Sequence, residues 1–294
     1  MTSRAIIHEG VEIGQDVVLG DYVVVYPGAQ IDNNCIVEGF TQIWSGVRIR
    51  EGVRLGPGVI FERSNSFMPF SEFANIDIGA GAKIGAGVII NQGLSIGEGA
   101  VIVPGAMVAQ NVPPYAIVSG SPARVTGYVE SVSPHIDGVS MHTVLSPGEL
   151  VKQVGVGGVT LHRLKLVCDP RGDLVVGEIF NDVPFEVKRF FLVFNVPNEK
   201  TRGEHAHIKC HQFLICVKGT CCVVVDDGTK RCEVALDSQN IGIHLPPLTW
   251  GIQYKYSPEA VLLVFASAAY DPNDYIRNYA EFVKLIKSQG RVDD

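Results

Sequence analysis

From Ile7 an aliphatic or aromatic side chain returns at every sixth position, at 7, 13, 19, 25, 31, 37, 43, 49, 55 and 61, and the beat resumes at Ile78, Ile84, Ile90, Ile96, Ile102 and Val108. A period of six suits neither the 3.6-residue turn of a helix nor the simple alternation of a strand. It marks a solenoid, in which each short coil buries its aliphatic residues only by stacking on the next. Glycine commonly follows the repeating residue, as in Ile13-Gly14, Leu19-Gly20, Leu55-Gly56, Ile78-Gly79, Ile84-Gly85 and Ile96-Gly97. Phe61 and Ile78 stand seventeen positions apart where six would keep phase, so eleven residues within RSNSFMPFSEFAN leave the coil. Loops on a rigid scaffold are where sites tend to be built.

These repeats resemble the hexapeptide-repeat, left-handed parallel β-helix family, in which three hexapeptides make one triangular coil; sixteen in-phase positions predict about five coils. Most such proteins are acyltransferases that use acetyl-CoA or a relative. After the last repeat, VPPYAIVSGSPAR resembles the closing segment of sugar and nucleotide-sugar acetyltransferases. The resemblance implies acetyl-CoA as cosubstrate, with Arg124 a candidate for a coenzyme A phosphate. No histidine lies between His8 and His135, and Glu62, Asn65 and Glu72 remain as polar candidates near the excursion. An amine of lowered pKa attacks a thioester without a strong enzymic base, which favours N-acetylation over O-acetylation. Carbonic anhydrase activity, also known in this fold, is excluded because its zinc needs a histidine triad.

Residues 130–149 are rich in Ser, Pro and Gly and follow neither period, so they read as a linker between a domain at 1–129 and a second at 150–294. Beyond it, short apolar runs such as FFLVFNV, FLICVKG and CCVVVDDG alternate with tight turns, predicting about eight strands in a jelly roll. Apolar residues at 275, 276, 279, 282, 283, 285 and 286 predict a C-terminal helix over NDYIRNYAEFVKLIKSQG. The fold class is therefore mainly β, a parallel β-helix followed by a jelly roll with a terminal helix.

TRGEHAHIKCHQF (201–213) holds three of the eight histidines. His205 and His207 alternate onto one face of a strand, and His211 does so too if the strand stays regular. The region resembles the cupins, whose metal site needs an acidic residue after HxH and a later histidine; here His211 or Gln212 takes the first position and Gly251 the second. Two imidazoles without a carboxylate make a poor divalent-metal site, so no metal is expected. A closer resemblance, over about 160–288, is to the dTDP-sugar 3,4-ketoisomerases, through RGEHAHIKCHQ, DPRGDLVVGE, LPPLTW and ASAAYDPNDYIRNYAEF. Gly251 replaces the histidine of that family's Trp-His pair, and Phe191 stands where a tyrosine is expected.

That resemblance implies isomerisation of dTDP-4-keto-6-deoxyglucose to the 3-keto sugar, through an enediolate and without a metal. His207 is assigned as base on C3 and His205 as its partner in proton relay, since imidazole accepts and donates near neutrality. Arg202, Arg171 and Arg189 are candidates for the diphosphate or the enediolate oxygen, Gln212 for a sugar oxygen, and Trp250 and Tyr254 for stacking or lining the sugar pocket. His162 and His244 read as plain strand histidines, and Asp274 and Arg277 as supports of the last helix. The whole chain resembles bifunctional enzymes that isomerise this sugar and N-acetylate the dTDP-3-amino-3,6-dideoxyhexose later derived from it, for O-antigen or S-layer glycans. Family habit implies a homotrimer or hexamer. Two other readings stay open: a ketoisomerase whose β-helix is an inactive trimerisation scaffold, and a non-catalytic nucleotide-sugar-binding protein. A net charge of −7 gives no field to attract nucleic acid or anionic lipid, and no run approaches the roughly 20 apolar residues of a membrane span, so a cytoplasmic location is expected. Seven cysteines, two of them adjacent, suit reduced thiols.

Overall fold

The computed structural model describes residues 4–62, 75–129, 145–197 and 200–289. It divides into two compact units, Met1–Val129 and Glu130–Asp294. Among the described residues no helix is long and apolar enough to cross a membrane.

The first unit is a β-solenoid of three parallel sheets built from strands of two or three residues. Each strand pairs with one a full coil away: Ile7 with Val25, Ile13 with Ile31, Leu19 with Val37. The first residue of most strands faces out and the second inward, so Val25, Ile31, Val37, Ile43 and Ile49 form a closed aliphatic core. Across the excursion the step lengthens from 18 to 29, with Ile49 beside Ile78, Leu55 beside Ile84 and Phe61 beside Ile90. The stacking thus continues in register on both sides of residues 63–74. The glycines after the aliphatic positions sit where the next coil passes closest: a Cβ at Gly85 would lie 2.5 Å from the Pro104 nitrogen, and one at Gly79 2.5 Å from the Glu98 nitrogen. The solenoid ends in the antiparallel pair Ala116–Gly120 and Ala123–Tyr128.

The second unit packs two antiparallel sheets in jelly-roll fashion. One runs, in spatial order, Val151–Gln153, Thr160–Arg163, Ile241–Leu245, Gln212–Lys218, Val261–Ala266 and Arg189–Phe194; the other runs Arg231–Leu236, Cys221–Asp226, Trp250–Tyr254, Arg202–His207 and Tyr275–Ile276. Leu161, Leu214, Ile243 and Leu262 from the first meet Val223, Val225, Val234 and Leu236 from the second in one buried core. Leu145 already belongs to that core, and residues 130–144 of the expected linker lie outside the described residues. All seven cysteines are free.

The expected C-terminal helix is shorter than its apolar pattern. It spans Tyr279–Ser288, starting where the Asn278 side chain accepts the Glu281 N–H. Before it, Pro272–Asp274 form one 3₁₀ turn and Tyr275–Ile276 a strand, which pairs with Ala206 and His207. The apolar pair 275–276 thus belongs to a sheet edge rather than to the helix.

Candidate active site

The strand Arg202–His207 carries the site. Glu204 takes a positive φ of 53°, and the pairing slips there: Gly203 lies opposite Ile252 but His205 opposite Gly251. The bulge turns the end of the strand so that His205 and His207 face the interior together, their ring centroids 5.0 Å apart and their planes nearly perpendicular. Tyr275, brought in by the edge strand, packs against both, at 4.9 Å from His205 and 4.4 Å from His207. The Arg277 guanidinium lies 4.2 Å over the Tyr275 ring.

Hydrogen bonds give the two imidazoles different roles. His205 Nδ1 lies 2.8 Å from the Gly203 carbonyl, an oxygen that can only accept, so Nδ1 carries the proton and Nε2 keeps its lone pair. His207 is held at both ends: Nδ1 lies 2.8 Å from Asp274 Oδ2, and Nε2 lies 3.1 Å from the Gln212 carboxamide nitrogen. Burial pushes the pKa of His205 down to about 4, with the neighbouring His207 and Arg277 adding to the effect against the Gly203 hydrogen bond. His207 is also lowered, mainly by burial, while Asp274 opposes the shift. Both are neutral near pH 7, as proton acceptors require.

The other expected residues divide. Gln212 reaches the pair directly. Arg189 lies between the rings of Phe191 (5.4 Å) and Tyr270 (5.6 Å), its buried Nε without a hydrogen-bond partner and its charge acting on His207. Arg202 begins the histidine strand, is exposed, and its charge reaches Tyr256. Arg171 is not brought in: its side chain is 89% exposed and salt-bridged to Asp169 of its own turn. Trp250 and Tyr254 alternate with Gly251 and Gln253 and so take the opposite face of their strand. Trp250 packs on Tyr279 and Phe282 of the helix, and Tyr254 donates to Glu233. In the first unit, Glu62 is exposed after the strand Ile60–Phe61, and Arg124 is exposed on the closing strand opposite Ser119. Asn65 and Glu72 lie outside the described residues.

The sequence pattern assigns Asp274, Tyr275 and Arg277 to the last helix or its support, yet Asp274 and Tyr275 touch the histidines and Arg277 covers Tyr275. Asp274→Asn is expected to lower turnover about tenfold to a hundredfold while leaving the fold intact, because the amide offers Nδ1–H no charged partner; an unchanged rate would remove Asp274 from the site. The cupin metal position does not fit this chain. A Cβ at Gly251 would stand 2.9 Å from Leu245 Cδ2, so Leu245 fills the space of the late histidine, and two neutral imidazoles with a carboxamide supply no anionic donor.

The remaining histidines of this unit lie elsewhere. The strand ends at His207 and the next begins at Gln212, so His211 leaves the interior face: its Nδ1 lies 3.0 Å from His244 Nε2. Thr160 Oγ1 links His244 Nδ1 (3.5 Å) to His162 Nε2 (2.8 Å), with Phe185 and Phe213 packed alongside. Burial lowers the pKa of all three, that of His244 to about 4; the neighbouring imidazoles add to that of His244, and Asp182 alone opposes that of His162. The unfolded chain, with histidines near 6.5, then binds more protons than the folded one, so stability is lost as pH falls from about 6.5 toward 4. His244 contributes about 2 kcal/mol of that loss after allowance for solvent screening. Urea midpoints at pH 7 and pH 4.5 measure it; equal midpoints would refute it.

Comparison with known proteins finds relatives of both units. Residues 157–287 match the family described as FdtA: WxcM-like, C-terminal, and residues 10–43 match the bacterial transferase hexapeptide (six repeats). The TDP-4-oxo-6-deoxy-alpha-D-glucose-3,4-oxoisomerase of Aneurinibacillus thermoaerophilus is 41% identical over 124 residues, 42% of this chain and 89% of that protein. QdtA, a sugar 3,4-ketoisomerase from Thermoanaerobacterium thermosaccharolyticum solved in complex with TDP, is 34% identical over 45% of this chain and 96% of its own, with a TM-score of 0.44. PerB from Caulobacter crescentus, solved with CoA and GDP-perosamine, is 20% identical over 42% of this chain and 55% of its own, with a TM-score of 0.38.

Proposed function

Because the chain belongs, through its C-terminal unit, to the FdtA/WxcM-like sugar-nucleotide 3,4-ketoisomerases, we propose that it converts dTDP-4-keto-6-deoxyglucose to the 3-keto sugar with His205 as the base on C3. The observation that carries this reading is the free Nε2 of His205, fixed by the Gly203 carbonyl at its other nitrogen. The C4 ketone acidifies the C3 hydrogen. His205 Nε2 takes that proton, leaving an enediolate across C3 and C4, and returns it to C4. The proton of the C3 hydroxyl passes to the oxygen on C4, so the carbonyl moves to C3 with no change in composition. His207 carries this second transfer, because Asp274 stabilises the imidazolium it forms in passing. The hydrogen bonds thus favour the reverse of the assignment that the motif alone suggests. Arg189 and Arg202 are candidates for the enediolate oxygen or the diphosphate.

For the first unit the proposed activity is N-acetylation, by acetyl-CoA, of the dTDP-3-amino-3,6-dideoxyhexose obtained when the 3-keto product is aminated. The amine nitrogen bonds to the acetyl carbon, the carbon–sulfur bond breaks, and coenzyme A leaves as the thiol with the amine's proton. Glu62 and Arg124, with Asn65 and Glu72, are the residues to test. A homotrimer or hexamer is proposed with it: the first sheet turns Ile6, Val24, Gln42, Ile60, Ile89 and Met107 outward, with Ile6 and Ile60 more than half exposed, a stripe that is apolar except at Gln42 and suited to burial against another copy. Sedimentation equilibrium giving a monomer would overturn that part. The absence of histidine from 9 to 134 favours a second reading, a solenoid that serves only as scaffold. Thiol release from acetyl-CoA with the dTDP-3-amino sugar decides between them: release supports transfer, and none at high enzyme concentration leaves the scaffold.

A further inference from the structure

We infer that the back of the His207 imidazole is an inhibitory site for a divalent cation of the Zn²⁺ class, held by His207 Nδ1, Cys210 Sγ and Asp274 Oδ2. One donor atom from each of the three residues lies within 4.8 Å of the other two, and an imidazole nitrogen, a thiol sulfur and a carboxylate oxygen are the three kinds of atom that Zn²⁺ takes in proteins. The cluster is dry: His207 and Cys210 are 5% and 3% exposed, and the Asp274 side chain 14%. The backbone around it is already braced. The Ile208 N–H donates to the Asp274 carbonyl (2.9 Å) and the Lys209 N–H to Asp274 Oδ1 (2.8 Å), wrapping the chain around the carboxylate and leaving Oδ2 aimed at the imidazole. Beyond Cys210, the His211 N–H donates to Ser267 Oγ (2.8 Å) and the Ser267 N–H to the His211 carbonyl (3.0 Å).

The dimensions suit an ion on the Cys210 side of the His207–Asp274 bond. With ligand bonds near 2.0 Å and tetrahedral angles, Zn²⁺ spans about 3.3 Å between its nitrogen and its carboxylate oxygen; the present separation is 2.8 Å. Charge balances as well. The Cys210 thiol gives its proton to solvent, and thiolate and carboxylate together neutralise the ion. His207 keeps one proton, moved from Nδ1 to Nε2; the Gln212 carboxamide, whose nitrogen now faces Nε2 at 3.1 Å, turns over so that its oxygen accepts that proton. The ion therefore takes Asp274 from His207 and keeps Nε2 protonated, so the imidazole can no longer accept a proton there.

Binding is independent of the isomerase reading; inhibition rests on it. Co²⁺ is the binding probe, because a cobalt–thiolate bond gives a near-ultraviolet charge-transfer band. The expected result is a band with the full-length chain and none with Cys210→Ser, whose circular dichroism and metal-free turnover match the parent. Zn²⁺ then lowers isomerisation about a hundredfold in the parent, leaves the affinity for the sugar nucleotide unchanged, and spares Cys210→Ser. A missing band, a band that persists in Cys210→Ser, or Zn²⁺ inhibition competitive with the sugar nucleotide overturns the site. If the metal-free chain does not isomerise at all, the isomerase reading fails while the cobalt band still decides the site.

Discussion

His205→Asn is expected to abolish isomerisation while the sugar nucleotide still binds. Asparagine fills similar space and can still donate to the Gly203 carbonyl, 2.8 Å from the native Nδ1, but its amide cannot hold a proton taken from carbon. Loss of a positioned general base costs about a hundredfold to ten-thousandfold. In D₂O the parent should exchange the C3 hydrogen of dTDP-4-keto-6-deoxyglucose and deliver deuterium to C4, both visible by proton NMR; the variant should do neither. His207→Asn separates the two roles. With His205 intact, C3 should still exchange while the hydroxyl transfer stalls and little 3-keto sugar accumulates. If His207→Asn stops exchange at C3 and His205→Asn does not, His207 is the base, as the motif alone suggests. Turnover within about tenfold of the parent by both His205→Asn and His207→Asn would remove both histidines from the chemistry.

What the sequence revealed and concealed has physical causes that differ between the units. In the solenoid residues that face inward do so because of a neighbour one coil away, eighteen positions on or twenty-nine across the excursion, so period and register are one signal. The phase slip of eleven residues between Phe61 and Ile78 reappears as the longer pairing step. The histidine pair was equally legible, since two residues two apart share a face whatever surrounds them. Its partners were not. Asp274 and Tyr275 reach His207 through a strand of two residues that merges, in the one-dimensional pattern, with the helix after it. Trp250 and Tyr254 misled for another reason. Their strand is buried on both faces, facing the core on one and, at Trp250, the terminal helix on the other. Hydrophobicity could not say which face held the site. The pairing of Gly251 with His205 says it, and that needs the fold.

A large stability effect expected in the first unit comes from one methyl group. Gly85→Ala puts a Cβ 2.5 Å from the Pro104 nitrogen, 2.6 Å from its Cδ and 2.7 Å from its Cα. None of these atoms can swing aside, because Pro104 is fixed by its ring and by the coil it belongs to. Two coils must part where Ile84 and Ile102 pair, and the cost is about 3 kcal/mol, at the upper end of overpacking. Gly87→Ala, two residues on, is the control. There a Cβ meets nothing within 4 Å, but φ is +63°, and a left-handed backbone costs an alanine about 1 kcal/mol. Neighbouring glycines are thus required for opposite reasons, one for space and one for handedness. The chain has one tryptophan in each unit, Trp44 and Trp250, so Trp250→Phe leaves Trp44 to report on the solenoid alone. In that background, urea unfolding should rank Gly85→Ala well below Gly87→Ala. Equal losses would mean that the coils slide apart freely at this corner, and close approach between coils would then not be what places glycine after the repeating aliphatic.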